Sequence, residues 1–298
     1  MPTLRVEETR SEVYEVCRTG PKGVLLNSSR MPDNPDGQST RYALITGAST
    51  GLGKVFAQAL AARKRNLVLV ARSEDKLSTL ANQLRTSHGV FAEVLPLDLA
   101  TPLGGQRLAK QLAGRKLRID LLINNAGFGV QGEFRKLDLN RQLEMIQLHN
   151  TTVVELTYLL LPSMIEQGRG GIINISSVAG LQAIPYATLY SATKSFLTTF
   201  SLALEREVGR HGVKIVTVCP GRLKAAPQGD QPKDAQRKKF PGGEQAHEDV
   251  VAQTLKMLDD GGGLLIPGLV NKFANLAERF FPRRLVTKVA GKLSRPKE

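Results

Sequence analysis

Tyr42-Ala-Leu-Ile-Thr46 is a short apolar run with β-branched residues at its end, and Gly47-Ala-Ser-Thr-Gly51-Leu-Gly53 follows it with nothing between. From Lys54 to Ala62 the apolar residues Val55, Phe56, Ala59 and Leu60 recur at helical spacing. The order is therefore strand, glycine turn, helix, which restricts the segment to a βα unit of an open α/β sheet. Glycines at such a turn let the chain reverse tightly and bring its backbone close to a ligand. The following helix N-terminus offers N–H groups and a positive dipole to a pyrophosphate, so the unit predicts a dinucleotide loop. An ordinary glycine-rich turn is the competing reading, and the flanking strand and helix count against it.

Asn66 to Ala71 reads as the second strand, with Arg72-Ser73 where the chain leaves it. A carboxylate there would accept a hydrogen bond from the ribose 2′-hydroxyl of NAD, whereas an arginine can meet the 2′-phosphate of NADP. No acid occurs before Glu74, so Arg72 favours NADP. Further along, Tyr190-Ser-Ala-Thr-Lys194 places a phenol four residues before an ammonium, on one face of a helix. A neighbouring ammonium favours the phenolate, so this spacing predicts a Tyr190 pKa lowered toward neutrality and a group suited to proton transfer.

Together these residues resemble the short-chain dehydrogenase/reductase family from about Arg41 to about Gly268. Thr46 to Gly53 matches the family's cofactor loop, which assigns Gly47, Ser49, Thr50, Gly51, Leu52 and Gly53 to the dinucleotide. Leu97-Asp98-Leu99 resembles the segment whose Asp98 meets the adenine amino group. Asn124-Asn125-Ala126-Gly127, after a strand from Ile119 to Ile123, resembles the Asn-Asn-Ala-Gly signature. Ile172 to Ser177 resembles the fifth strand ending in the family's serine, thirteen residues before Tyr190, and Cys219-Pro220-Gly221, after a strand from Lys214 to Val218, resembles the Pro-Gly beside the nicotinamide. The resemblance implies a Rossmann-type α/β domain with a parallel sheet of about seven strands, and NADPH-dependent reduction of a ketone or aldehyde, or the reverse; Leu264 to Lys272 resembles the subgroup with 3-ketoacyl and hydroxysteroid enzymes, which implies a lipophilic substrate. Tyr190 would be the acid, Ser177 would hold the carbonyl oxygen, and Lys194 would tune Tyr190 and bond the nicotinamide ribose. Ser176 is expected to be a small buried residue, and Tyr186, eight residues before Lys194, to line the substrate pocket.

The chain departs from the family pattern in two places. The helix before the fifth strand usually carries an Asn; aligned on the Thr-x-x-x-Glu-Leu that follows, this position falls on His149, with Asn150 one step along. His149 is then either a structural histidine or a proton relay, and one helical step of about 100° separates it from Asn150. After Gly221 the chain reads Arg222-Leu223-Lys224-Ala225, so the hydroxyl that would meet the carboxamide is missing at Ala225. These departures keep open a second class of function, a cofactor-binding sensor or scaffold without turnover, which an intact Ser177, Tyr190 and Lys194 oppose.

At 298 residues and 41% hydrophobic, the chain can bury one large α/β core. The expected organisation is an extension over 1–40, poorly ordered and acidic at Glu7, Glu8, Glu12 and Glu15, a Rossmann-type domain over 41–268, and a basic tail over 269–298. The extension lacks a signal-peptide core, its acids oppose a transit peptide, and the two cysteines, Cys17 and Cys219, suit reducing, cytoplasmic surroundings. No transmembrane run and no metal-ligand pattern is expected. The formal charge is +14, and from Gly268 onward eight basic residues face only Glu278 and Glu298. Phe273, Phe280 and Phe281 interleave with them on a segment broken at Pro282. Two readings fit this tail: a peripheral anchor for an anionic membrane surface, or a helix pair packed on the substrate pocket or on a partner copy in a homo-oligomer. Nucleic acid is disfavoured by the absence of a binding motif and an aromatic content of 5%. Arg237-Lys-Lys239 falls in the expected substrate lid, where a basic run could attract an acidic or thioester-carrier substrate.

Overall fold

A computed structural model describes residues 41–224, 243–278 and 280–295. The 1–40 extension with Cys17, the Ala225 position, the Arg237-Lys-Lys239 run, and Arg279, Lys297 and Glu298 lie outside the described residues.

Alternating strand and helix patterns fold into a seven-stranded parallel sheet in the order β3-β2-β1-β4-β5-β6-β7. The strands are β1 (Arg41–Thr46), β2 (Asn66–Ala71), β3 (Ala92–Pro96), β4 (Arg118–Asn124), β5 (Gly170–Ile175), β6 (Val213–Val218) and β7 (Gly263–Leu265). The helices between them are α1 (Gly51–Ala62), α2 (Glu74–His88), α3 (Gly104–Gly114), α4 (Leu139–Ile146), α5 (Thr152–Glu166), α6 (Thr188–Val208) and α7 (His247–Asp259). Two more, α8 (Leu269–Glu278) and α9 (Arg283–Ser294), follow the last strand and are separated at Pro282, the N-cap of α9. Because parallel strands need crossover helices, both sheet faces are covered. Central strands are accordingly apolar throughout: Ala43, Ile45, Leu67 and Leu69 pack on one side, Leu44, Val68, Val70 and Leu122 on the other.

Strand order reverses between β1, which is followed outward by β2, and β4, which is followed outward by β5, so the connections leaving their carboxyl ends turn to opposite sides and leave the crevice where such sheets bind ligands. Thr46 sews the two ends together. Its hydroxyl donates to the Ile123 carbonyl at 3.2 Å and accepts from the Asn125 and Ala126 amides at 3.0 Å each. The turn itself needs glycine for two reasons. Gly47 and Gly51 have φ of +66° and +54°, the left-handed region that side chains avoid. At Gly53 the reason is space, since an added Cβ would lie 2.2 Å from the Gly47 carbonyl oxygen.

Helix α6 is set by buried polar contacts as well as by apolar packing. The Asn174 amide on β5 donates to the Ser201 hydroxyl at 2.8 Å and accepts from Asn124 of β4 at 2.8 Å. Ser176, buried as expected, donates to the Lys194 carbonyl at 2.8 Å. These bonds fix which face of α6 meets the sheet ends.

Gly53→Ala would have to push the turn backbone apart and should destabilise the protein by about 1–3 kcal/mol, the usual cost of overpacking a fixed site. Circular dichroism melts of the two proteins should differ by several degrees.

Candidate active site

The site residues stand at the carboxyl ends of β1, β4, β5 and β6. Strand β5 stops at Ile175, two residues earlier than the sequence suggests, because Ser177 is the N-cap of a short 3-10 turn, Val178–Gly180, and its hydroxyl accepts from the Ala179 amide at 3.1 Å. That turn swings the Ser177 hydroxyl toward α6, where it is near enough to the Tyr190 phenol to favour the phenolate. One helical turn on, Lys194 lies behind Tyr190, its Nζ 6.0 Å from the ring centroid. Lys194 is 6% exposed, and Nζ donates to the Ile175 carbonyl at 2.8 Å.

Electrostatics here run against the sequence expectation for Tyr190. Its pKa is raised, because burial of the phenol outweighs the influence of the nearby Ser177 hydroxyl, which favours the phenolate. The charge that should have lowered it is itself penalised: burial brings the Lys194 ammonium down to about 8. In this arrangement Tyr190 is a protonated phenol at neutral pH, with its proton available.

His149 lies within a π-turn, Gln147–Thr151, between α4 and α5, and is 1% exposed. Its Nε2 accepts from the Phe128 amide at 3.1 Å, and its Nδ1 lies 3.0 Å from the Thr193 hydroxyl. Since that hydroxyl donates to the Tyr190 carbonyl at 2.9 Å, Nδ1 is the imidazole's donor and Nε2 its acceptor. The ring is neutral: burial, and then the nearby Lys194 charge, hold its pKa well below the ordinary value. Both nitrogens are spent on fixed partners, so a proton relay through the imidazole is not what this bonding offers. Instead His149 ties the loop after β4 to the helix bearing Tyr190, whose ring stands edge-on at 6.0 Å. Gly127 is glycine for the same reason, since a Cβ there would meet Nε2 at 2.8 Å. Asn150 reaches the same helix, donating to the Thr193 carbonyl at 3.3 Å. A π-turn advances less per residue than an α-helix, so the two neighbours converge on Thr193 rather than diverging.

The remaining predicted residues divide between a cradle and its bracing. The loop from Gly47 through Ser49 to Thr50 runs into the first turn of α1, which holds Gly51, Leu52 and Gly53; the N-cap Thr50 makes no side-chain capping bond, leaving the first N–H groups of the helix to a ligand. Arg72 is exposed at the end of β2, and Asp98 is exposed beyond β3 with Oδ1 accepting from Ala100 N at 2.9 Å. Asn125 is used internally: its amide donates to the Thr46 and Gly47 carbonyls at 2.9 and 3.2 Å, bracing the loop. Ala126 and Gly127 continue that edge. Pro220 accepts from the Val178 amide at 3.0 Å, and Gly221 N donates to Gln245 Oε1 at 3.0 Å. Tyr186 lies ahead of α6 rather than on it, with φ of +65° and its carbonyl bonded to the Gly132 amide at 2.7 Å. Thr193, Gln245 and Asn271 also shape the site, and no sequence motif marks them. Among the described residues no cluster of three or more His, Cys, Asp or Glu could hold a metal ion.

Comparison with known proteins bears on this geometry. The profile of the short chain dehydrogenase family matches residues 41–236. Over 181 residues the chain is 38% identical to the ketoacyl reductase HetN of Nostoc sp. (strain PCC 7120), covering 61% of this chain and 63% of that protein. It is 34% identical over 183 residues to the very-long-chain 3-oxoacyl-CoA reductase of Homo sapiens, covering 60% and 58%. The match thus spans about three fifths of the length of these relatives. A solved structure of a short-chain dehydrogenase from Sphingobium yanoikuyae in complex with NADPH is similar with a TM-score of 0.71 at 30% identity, covering 80% of this chain and 93% of that one.

The depressed Lys194 pKa has a sign that stability can report. The unfolded chain holds the lysine proton up to about 10.5 and the folded one only to about 8, so the buried charge costs stability below pH 8 and the cost disappears as pH rises between those values. Lys194→Met should therefore stabilise the protein by about 1–2 kcal/mol at pH 7, after allowing for the lost bond to Ile175. Its advantage over the wild type should shrink from pH 8 to 10, as read in urea denaturation at each pH.

Proposed function

The chain belongs to the short chain dehydrogenase family, and from that footing we propose that it is an NADPH-dependent reductase converting a lipophilic ketone or aldehyde to an alcohol, or catalysing the reverse. The observation that carries this reading is the placement of the Ser177 hydroxyl beside a protonated Tyr190, with Lys194 one turn behind. Carbonyl reduction needs a proton for the oxygen and a group to polarise it. Tyr190 Oη holds the proton, and Ser177 Oγ donates to the same oxygen. With its pKa raised, the phenol carries its proton at neutral pH but is a weaker acid than a free phenol, so a positive charge brought close to it would be needed to favour the phenolate during transfer. Lys194 spends one N–H on Ile175 and keeps two for the ribose of the cofactor and the Tyr190 side of the cleft. His149 acts through position, holding the Phe128 loop against α6.

The residues fit a dinucleotide. The glycine turn brings backbone where a Cβ would clash, α1 leaves its N-terminal amides uncapped by a side chain, and Arg72 makes no hydrogen bond or ion pair with another described residue, as suits a partner for a 2′-phosphate. NADPH, when bound, supplies the hydride. Asp98 would meet the adenine end, and Ala126, Gly127, Pro220 and Gly221 would border the nicotinamide. The activities named for the relatives, on ketoacyl and 3-oxoacyl-CoA groups, favour an acyl chain bearing a keto group as the substrate class. A sensor without turnover is the rival; the grouping of Ser177, Tyr190 and Lys194 supports the enzyme against it.

NADPH oxidation with a panel of 3-oxoacyl thioesters and lipophilic ketones tests the assignment directly. Tyr190→Phe should lower turnover at least ~100-fold, the usual worth of a positioned acid, while fluorescence titration shows NADPH affinity nearly unchanged. More than about a tenth of wild-type turnover in Tyr190→Phe would remove Tyr190 from the acid role.

Arg72→Asp should reverse the preference between NADPH and NADH in the same titration, because it trades a partner of the 2′-phosphate for one of the 2′-hydroxyl. A wild-type protein that already prefers NADH would refute the NADP reading.

A further inference from the structure

Helices α8 and α9 are built inside out. On α8 the side chain turned into the protein is Asn271, 8% exposed, which packs on Gly221 and donates to the Pro267 carbonyl at 2.9 Å. Leu269, Phe273 and Leu276, one helical stripe, are 71%, 67% and 50% exposed. The same inversion recurs on α9. Small residues face inward, Ala290 buried and Gly291 against Pro185, while Leu285, Val289 and Leu293 face out at four-residue intervals. Phe280, 79% exposed, and Phe281 stand at the turn between the helices. A helix folded only for this domain would bury its phenylalanine and leucine stripe and leave asparagine in water. The contiguous apolar face left outside is shaped for another contact.

Charge identifies what that contact is. Arg284, Lys288 and Lys292 form a second stripe at the same four-residue spacing, beside the apolar one. Neither these three nor Lys272 and Arg283 make an ion pair among the described residues. From Leu269 to Glu298 the sequence has eight basic residues and two acidic ones. A second copy seated here would set cation stripe against cation stripe with scarcely an acid to answer it. A polyanion in solution would meet the cations and leave the phenylalanines wet. A bilayer with acidic headgroups satisfies both stripes at once. No helix among the described residues is long and apolar enough to cross a membrane, so the contact is with its surface.

We propose that α8 and α9 form a docking surface for an anionic lipid bilayer. The pair reaches the rim of the candidate site: α8 packs on the Gly221 turn, and α9 lies on Pro185 with its Ser294 carbonyl accepting from Gln131 at 3.3 Å. Docking therefore sets the Tyr190 cleft beside the lipid surface, the natural source of an acyl substrate. Lipid binding itself does not rest on the reductase reading, because it is measured without turnover.

The test is co-sedimentation of the full chain with vesicles of phosphatidylcholine alone and of equal parts phosphatidylcholine and phosphatidylglycerol, at low and high salt. Binding is expected only with phosphatidylglycerol and should weaken as salt rises. The triple variant Arg284→Gln, Lys288→Gln, Lys292→Gln should partition on the order of a hundredfold more weakly, the combined loss of three headgroup attractions. Phe273→Ser with Phe280→Ser should also lose binding while keeping the wild-type melting temperature, since both side chains are exposed. Protein that stays in the supernatant with phosphatidylglycerol at low salt overturns the proposal, as does equal binding to neutral vesicles or a triple variant that binds like the wild type. A stable dimer that Phe273→Ser, Phe280→Ser converts to monomer would overturn it too, by giving the face to a second copy.

Discussion

Buried polar contacts between β5 and α6 are the constraint on which the candidate site depends. Asn174 reaches Ser201, Ser176 reaches the Lys194 carbonyl, and Lys194 reaches the Ile175 carbonyl, all away from water. Each such bond contributes only about 0.5–1.5 kcal/mol net, but leaving a buried group unpaired costs ~1–3 kcal/mol. Rotating or sliding α6 would break several together. Apolar packing alone would tolerate a small slip of a helix on a sheet, and these bonds do not. Tyr190 and Lys194 inherit their positions from that restriction, and Ser177 inherits its own from the turn that closes β5.

A second restriction joins the first at the crevice. Thr46 pins the ends of β1 and β4, Asn125 braces the glycine turn from the β4 side, and His149 braces the loop that follows to α6. The chain thus fastens its glycine loop to its tyrosine helix through side-chain bonds made within the protein. Asn125 and His149, which the sequence marks as site residues, also brace the site from within.

That distinction marks what was legible in advance. Five of the strands, β1, β2, β4, β5 and β6, were legible as apolar runs, since strands covered on both faces cannot alternate polar and apolar residues, while a parallel sheet of about seven came with the family resemblance. The spacing of Tyr190 and Lys194 along one helix was also readable, as was the break of the C-terminal segment at Pro282. Illegible were the features set by tertiary environment. The direction of the Tyr190 pKa depends on how much water α6 loses, the tautomer of His149 on Phe128 and Thr193, which come from other segments, and the inversion of α8 on which face the sheet ends accept. A helical wheel identifies the apolar face of Leu269–Glu278 but not that this face turns outward.

Lys194 carries one more consequence, in the balance of protons. With its pKa brought to about 8, the amine is close to half protonated in mildly alkaline buffer, while the surrounding protein gives it one carbonyl oxygen. A ligand that brings hydroxyl or carbonyl oxygens to Nζ favours the charged form and draws a proton from solution as it binds. The heat of binding then contains the ionisation heat of whatever buffer gave up that proton. Ligand affinity near pH 8 is by the same linkage a function of pH, set by an amine that never leaves its place beneath the tyrosine.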